Sequence, residues 1–400
     1  MGYSDQFFKA LGLDPKSNKE IRDAAKRVGI PLDRFKYYNK QNIVPSGNDL
    51  ALLEEEFLVS ELKLMLIMGR LDNQVIEAIQ TRSDEVLQLI SPSFQMEKKT
   101  KPKRLIPVFK TKQGKLYESD CLDLLGTMKS ESVDLVFADP PFNLDKIYPS
   151  NMNDSLKEEE YLKWTESWMK ECVRVLKPGG ALFIWNLPVW NSKITQFLHS
   201  RLTFKHWIST DIKYSLPIQG KLYPSHYSLL YYVKGEKANT FTADRLPTPT
   251  CPKCFGDLKD YGGYKHKMNP AGVSLTDIWL DISPVRHAKY KKREGSNELS
   301  VRLLDRVIEM ASKKGDVVFD PFGGSGTTYV VAELKKRKWI GCELGPSDII
   351  IDRFTHIQND KENLMSIRSS LNHLFLPKIK LEREKRGLWT SESVNKKSKK

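Results

Sequence analysis

Long apolar runs are missing from this 400-residue chain, and no stretch approaches the roughly 20 residues needed to span a bilayer. Cysteine is scarce: five residues, odd in number and scattered from Cys121 to Cys342, exclude a disulfide scaffold and suit a reducing compartment. The opening residues MGYSDQFFKALGLDPKSNKE carry acids early and lack an apolar core, so no secretory signal is expected there and a cytoplasmic setting is. Internal repeats are also absent. Acid is the charge in deficit, with 50 Asp and Glu against 64 Lys and Arg, a formal net charge of +14. That excess points to a polyanionic partner, nucleic acid first, although many soluble proteins are basic without one.

Four hundred residues exceed what a single core usually covers, which implies one large domain with appendages. Residues 1–95 read as a helical N-terminal domain, with a long amphipathic run, GNDLALLEEEFLVSELKLMLIMGRL, opening on an Asn/Asp cap. Within it, NKEIRDAAKRVGIPLDRFKYY has two short helices around Gly29 in the manner of a helix-turn-helix. A packing or dimerisation role is the preferred reading of that domain, and DNA reading the alternative. Residues 96–115 form a basic, proline-containing linker. From there LYESD, VDLVFA, ALFIW, HWISTDIKYS, YSLLYYVKG, DVVFD and KWIGCEL read as strands, and KPGG as a turn. YLKWTESWMKECVRVL, SVRLLDRVIEMAS and TTYVVAELKKR read as helices. The alternation implies an α/β fold, a mostly parallel doubly wound sheet over 116–377 covered on both faces. The basic tail, 378–400, loses periodicity and is expected to be partly disordered.

Two stretches carry chemistry. In VVFDPFGGSGTT three apolar residues lead to Asp320, and Gly323, Gly324 and Gly326 then precede a helix. Glycines at such a turn allow positive φ and let a ligand approach the backbone, and the helix start offers free N–H groups. Glu343 ends the next strand, where the acid that binds ribose hydroxyls sits in nucleotide-binding α/β folds. The loop has no Gly-Lys-Ser/Thr ending and misses G-x-G-x-x-G, so a nucleoside cofactor without a pyrophosphate fits best. On this reading a Gly323→Val change fills the ligand's space. The second stretch is FADPPF, where a strand runs into Asp139, Pro140, Pro141 and Phe142. Alone it reads as an ordinary strand-end turn; beside the glycine loop it reads as a catalytic corner.

ADPPF and DPFGGSGTT together resemble the S-adenosylmethionine-dependent amino-methyltransferases of DNA. Their order, catalytic tetrapeptide first and cofactor loop later, is similar to the permuted beta group. YESDCLDLLGTMKSESVDLVFADPPF, RVLKPGGALFIW and NELSVRLLDRVIEMASKKGDVVFDPFGGSGTT agree, so the resemblance spans about 115–350. It implies a Rossmann-like methyltransferase fold and S-adenosylmethionine as cofactor. It places Asp120, Asn297, Asp320, Phe322, Gly323, Gly324, Gly326, Thr327 and Glu343 around that cofactor, with Glu298 beside Asn297. Asp139 and the Pro140 carbonyl would accept the hydrogens of an exocyclic amine, Pro141 would hold the corner rigid and Phe142 would stack on the flipped base. The resemblance also implies double-stranded DNA as partner, a homodimer, and a cognate restriction endonuclease acting on the same site. Asp at position 139 leans toward N6 of adenine, with N4 of cytosine as the alternative. No Pro-Cys dipeptide occurs, which disfavours the covalent route to C5-methylcytosine. Methylation of RNA or of a protein glutamine, and a non-catalytic DNA-binding protein, are the remaining readings.

The target-recognition region is expected at about 235–285, rich in Pro, Gly, Lys and Tyr. Its Cys251 and Cys254 form one C-x-x-C with no second pair. Zinc takes about four ligands, so two unliganded thiols is the preferred reading and zinc ligation, helped by His266 or His226, the alternative. After it, PVRHAKYKKREGSNE packs Arg286, Lys289, Lys291, Lys292 and Arg293 around Tyr290, a run suited to phosphate contact or to a solvated loop.

Overall fold

A computed structural model describes residues 5–90, 104–144, 155–211, 219–220, 222, 225–259, 262–282 and 298–393. The described residues divide into two compact units, one of helices and one built on a sheet. No helix among them is long and apolar enough to cross a membrane.

The helical unit contains α1 (Gln6–Ala10), α2 (Asn18–Val28), α3 (Leu32–Gln41), α4 (Gly47–Phe57), α5 (Glu61–Met68), α6 (Asn73–Thr81) and α7 (Ser83–Ile90). Its core gathers Phe7, Phe8, Ile21, Ala24, Ala25, Val28, Phe35, Leu53 and Leu64. The long amphipathic run expected over 47–71 is two helices. Leu58 turns left-handed at φ 49°, and Ser60 restarts the chain by accepting from the Lys63 N–H. The Glu54 carboxylate, reaching across the break to the Glu61 N–H at 3.0 Å, satisfies a donor that the new helix start leaves open.

The second unit carries β1 (Phe109–Lys110), β2 (Gly114–Glu118), α8 (Cys121–Thr127), β3 (Val133–Ala138), β4 (Leu176–Asn186), α10 (Pro188–His199), β5 (Thr203–Asp211), β6 (His226–Val233), β7 (Arg245–Leu246), β8 (Val273–Ser274) and β9 (Ile278–Trp279). Helix α9 (Glu158–Val175) leads into β4. There follow α11 (Val301–Ala311), β10 (Val317–Asp320), α12 (Thr327–Leu334), β11 (Lys338–Glu343), α13 (Asp348–Thr355), α14 (Ile357–Ser369) and α15 (Pro377–Lys385). Among the described residues nine strands make one sheet in the order β1-β2-β11-β10-β3-β4-β6-β5-β9. The five from β2 to β4 are parallel, and β6 runs antiparallel between β4 and β5. The central strand β3 buries Val133, Leu135, Val136, Phe137 and Ala138 completely, as a strand covered on both faces must. Each large side chain among these contributes roughly 1.5–3 kcal/mol of burial.

The chain runs outward from the centre in both directions, β10 to β11 on one side and β3 to β4 on the other. The β10–β3 pair is therefore the switch point of the sheet, where turns leaving the carboxyl ends diverge and open a crevice. Val318 pairs with Leu135 and Phe319 with Val136, so the turns after Asp320 and Ala138 leave side by side.

Two expectations are revised. KPGG belongs to β4, whose ladder with β3 begins at Leu176 opposite Val133 and then shifts register; Gly179 takes φ 75° at the irregularity. The tail is ordered further than its composition suggests. Helix α15 covers 377–385, and Arg383, fully buried, donates to the Phe255 carbonyl at 2.5 Å and the Trp389 carbonyl at 2.9 Å. It pairs with Asp257 at 2.8 Å and lies 4.1 Å from the Phe375 ring centroid. Periodicity failed to signal this segment because one long cation, rather than an apolar stripe, anchors it.

Candidate active site

The glycine turn is built from both sides. Asp320 is buried at the end of β10; one carboxylate oxygen accepts from the Phe322 N–H at 2.9 Å and the other from the Thr328 hydroxyl at 2.5 Å. Burial pushes its pKa well up against those bonds, and the charges of Asp139 and Glu343 push the same way. Glu343, at the end of β11, accepts from the Gly324 N–H at 2.6 Å. Its pKa is raised by burial, with backbone N–H groups opposing.

The glycines serve the turn's own packing. A Cβ on Gly323 would meet the Tyr329 hydroxyl at 2.8 Å and the Cys342 carbonyl at 3.0 Å; one on Gly326 would meet Ile350 at 2.8 Å. Gly324 and Gly326 also hold φ 52° and 75°. The reading in which a side chain at Gly323 fills the ligand's space is thus corrected: it would strike the protein. Tyr329 is fully buried, and its hydroxyl lies 3.0 Å from the carbonyls of both Asp320 and Cys342, tying the two strand ends together.

Thr327, expected at the cofactor, points its hydroxyl into the protein, where it accepts from Arg353 at 2.6 Å. Arg353 was not foreseen. Fully buried, it holds Asp360 with two bonds of 2.9 Å and donates to the Ser325 carbonyl at 3.2 Å and hydroxyl at 3.1 Å. It clamps the second half of the glycine turn from below, and Glu298 stands 3.8 Å from it. An arginine on an unremarkable later helix carries no sequence signal for that role. Asp120 caps α8, accepting from the Leu122 N–H at 2.7 Å, and is exposed at the end of β2. Phe322 is partly exposed, its ring edge-on to the buried Trp168 at 5.2 Å.

The second turn is simpler. Asp139 and Pro141 are partly exposed and Pro140 is buried. Phe142 is 9% exposed, its ring 5.8 Å from Tyr227, which in turn lies 5.0 Å from Trp185. Tyr227 therefore belongs to the wall of this corner. Trp190, also unforeseen, donates its indole N–H to the Phe142 carbonyl at 2.7 Å and fixes the corner from α10.

The crevice thus presents a carboxylate for a diol, a glycine turn with its helix start, an aromatic face and a second, more open carboxylate. No lysine follows the glycines to meet a triphosphate. That donor set fits a nucleoside with a short charged arm. Asn297, Arg286, Lys289, Lys291, Lys292 and Arg293 lie outside the described residues, as does Tyr290. Cys251 and Cys254 sit in a tight turn in which the Cys251 N–H meets the Gly256 carbonyl at 2.9 Å. Both are free thiols, and the described residues contain no cluster of three His, Cys, Asp or Glu able to hold a metal.

The chain is similar to several known proteins. Residues 133–350 match the N6/N4 methyltransferase model, described as DNA methylase. Type II methyltransferase M.BamHI of Bacillus amyloliquefaciens is 45% identical over 357 residues, 89% of this chain and 84% of that protein. DNA adenine methyltransferase YhdJ of Escherichia coli (strain K12) is 31% identical over 239 residues, 57% of this chain and 78% of that one. Among solved structures, PvuII DNA methyltransferase (cytosine-N4-specific) has a TM-score of 0.47 at 19% identity, over 65% of this chain and 95% of that chain.

Proposed function

Because this chain belongs to the N6/N4 DNA methylase family, we propose that it moves a methyl group from S-adenosylmethionine to an exocyclic amino nitrogen of a base in double-stranded DNA. The observation that carries the proposal is the pairing of β3 with β10, which brings the Asp139 turn beside the glycine turn at the switch point of the sheet. When bound, S-adenosylmethionine supplies an electrophilic methyl on sulfur. Glu343 would hold its ribose hydroxyls, Asp120 would stand near the adenine, and the backbone of 322–326 would line the arm. Phe322, braced by Trp168, would give that side an apolar wall.

The chain's own chemistry falls to the Asp139 corner. An exocyclic amine is a poor nucleophile because its lone pair is delocalised into the ring. Accepting one hydrogen at the Asp139 carboxylate and another at the Pro140 carbonyl draws the nitrogen toward a tetrahedral, reactive geometry. The two prolines and the Trp190 bond keep those acceptors from relaxing away, so positioning supplies most of the acceleration. The target base must leave the duplex to reach this depth. Phe142, its ring 5.8 Å from Tyr227, would stand against the base.

Asp at position 139 makes N6 of adenine the first base to test and N4 of cytosine the second. An enzyme whose substrate is the cell's own DNA works in the cytoplasm, and a type II relative with the family's usual arrangement implies a cognate endonuclease for the same site. The test is chromatography of nucleosides from duplex DNA treated with the protein and S-adenosylmethionine. N6-methyladenine is expected. N4-methylcytosine moves the assignment to the second base, and C5-methylcytosine or no transfer at all would overturn the reading.

A further inference from the structure

The helical unit holds a charge segregation that the methyl-transfer reaction does not use. Between Lys16 and Asn42 there are eight Lys and Arg against three Asp and Glu; between Ile43 and Ile90 there are three against nine. The basic part coincides with α2 and α3. These helices are joined by three residues, Gly29 to Pro31, and Gly29 takes the left-handed conformation at φ 77°. Ala24 and Ala25 are buried on the inner face of α2 with Ile21 and Val28. Phe35 on α3 is fully buried, and Phe7 and Phe8 of α1 pack on it at 5.3 and 5.8 Å. The Phe8 N–H donates to the buried Asn39 side chain at 3.2 Å. Helix α3 is therefore gripped along one side only.

Its other side is exposed and recurs at helical spacing: Asp33, Lys36, Tyr37, Lys40 and Gln41. Tyr37 is 47% exposed, a planar side chain held out beside two cations. Lys19, Arg22 and Lys26 add charge on the exposed side of α2. The arginines that do face the acidic helices are used there: Arg27 meets Glu56 at 2.8 Å and Arg34 meets Asp49 at 2.8 Å.

We propose that α2 and α3 form a second DNA-binding site, a helix-turn-helix that lays α3 in the major groove of duplex DNA with Lys36, Tyr37 and Lys40 facing the nucleic acid. Two helices joined by a short glycine turn, the second exposed and basic, have the shape and charge to enter a groove about 12 Å wide. Lysines meet phosphates, while Tyr37 and Gln41 can reach base edges. The acidic helices α4 to α7 turn duplex away from the rest of the unit, which gives the site one orientation. The inference does not depend on which base the catalytic crevice modifies.

The experiment uses the full chain and a duplex of about 30 base pairs, near three helical turns, with titrations at several salt concentrations. The combined change Lys36→Ala, Tyr37→Ala and Lys40→Ala should weaken binding about tenfold and lower the salt slope by about 2, one for each phosphate that a lysine no longer neutralises. S-adenosylmethionine binding, melting temperature and the methylation rate at saturating DNA should hold. A photoreactive phenylalanine in place of Tyr37 should cross-link to the duplex. Unchanged affinity and slope together with no cross-link would overturn the site, as would a variant that changes only the oligomeric state in sedimentation. A wrong methylase assignment shows itself separately, as absence of transfer by the unaltered protein.

Discussion

Asp320 ends β10 and Asp139 directly follows the neighbouring parallel strand β3, and each is followed by proline and then, within two residues, by phenylalanine. Their carboxylates are used in opposite ways. Asp320 is sealed in, with both oxygens committed to the turn that follows it. Asp139 remains partly open on the crevice. A buried carboxylate with two local donors fixes backbone; a partly exposed one can be reached by a substrate. On the proposed function the same short sequence serves architecture on one strand and chemistry on the next, and what separates them is the Thr328 hydroxyl and the burial of Asp320 at the end of β10.

The contrast can be broken most strongly at Asp139. Asp139→Asn should lower kcat by about a thousandfold, the scale of losing one preorganised electrostatic partner, while melting temperature and S-adenosylmethionine affinity hold; a tenfold or smaller loss would remove the residue from the chemistry. Asp320→Ala should act the other way. It strands the Phe322 N–H and the Thr328 hydroxyl, at about 1–3 kcal/mol each, so thermal unfolding should move down clearly and cofactor binding should weaken with it. Stability equal to the parent would contradict the structural role.

The smallest effect sharpens the comparison through pH. Burial raises the Glu343 pKa, so this carboxylate takes up a proton at higher pH than an exposed glutamate, whose value is about 4.3. S-adenosylmethionine affinity should fall on acidification before that value is reached, and Glu343→Gln should bind more weakly but without the pH dependence. For folding the sign is reversed: a raised carboxyl contributes its stability below the unfolded-state pKa and loses it as pH climbs through the folded one. Identical pH profiles for parent and variant would assign the dependence to another group.

The α/β alternation from β2 onward was legible because buried parallel strands need continuous apolar residues, as in VDLVFA and DVVFD. The two turns were legible for a different reason: proline and glycine restrict or free the backbone in ways few other residues share. What could not be read was the support behind them. Arg353 and Trp190 reach the turns from α13 and α10, and neither lies near its partner in sequence. The break at Leu58 was hidden because leucine carries no turn signal, and the deciding bonds come from Glu54 and Ser60. Arg383 was missed in the same way, since a single buried cation leaves no periodic trace.

That arginine also imposes an order of assembly. The turn at 251–257 receives its Arg383 bonds from a residue 128 positions downstream of Phe255. A chain still on the ribosome has the 251–257 turn and every strand of the sheet outside before it has Arg383, so this turn gains its buried brace only after the strands that line the crevice have been made.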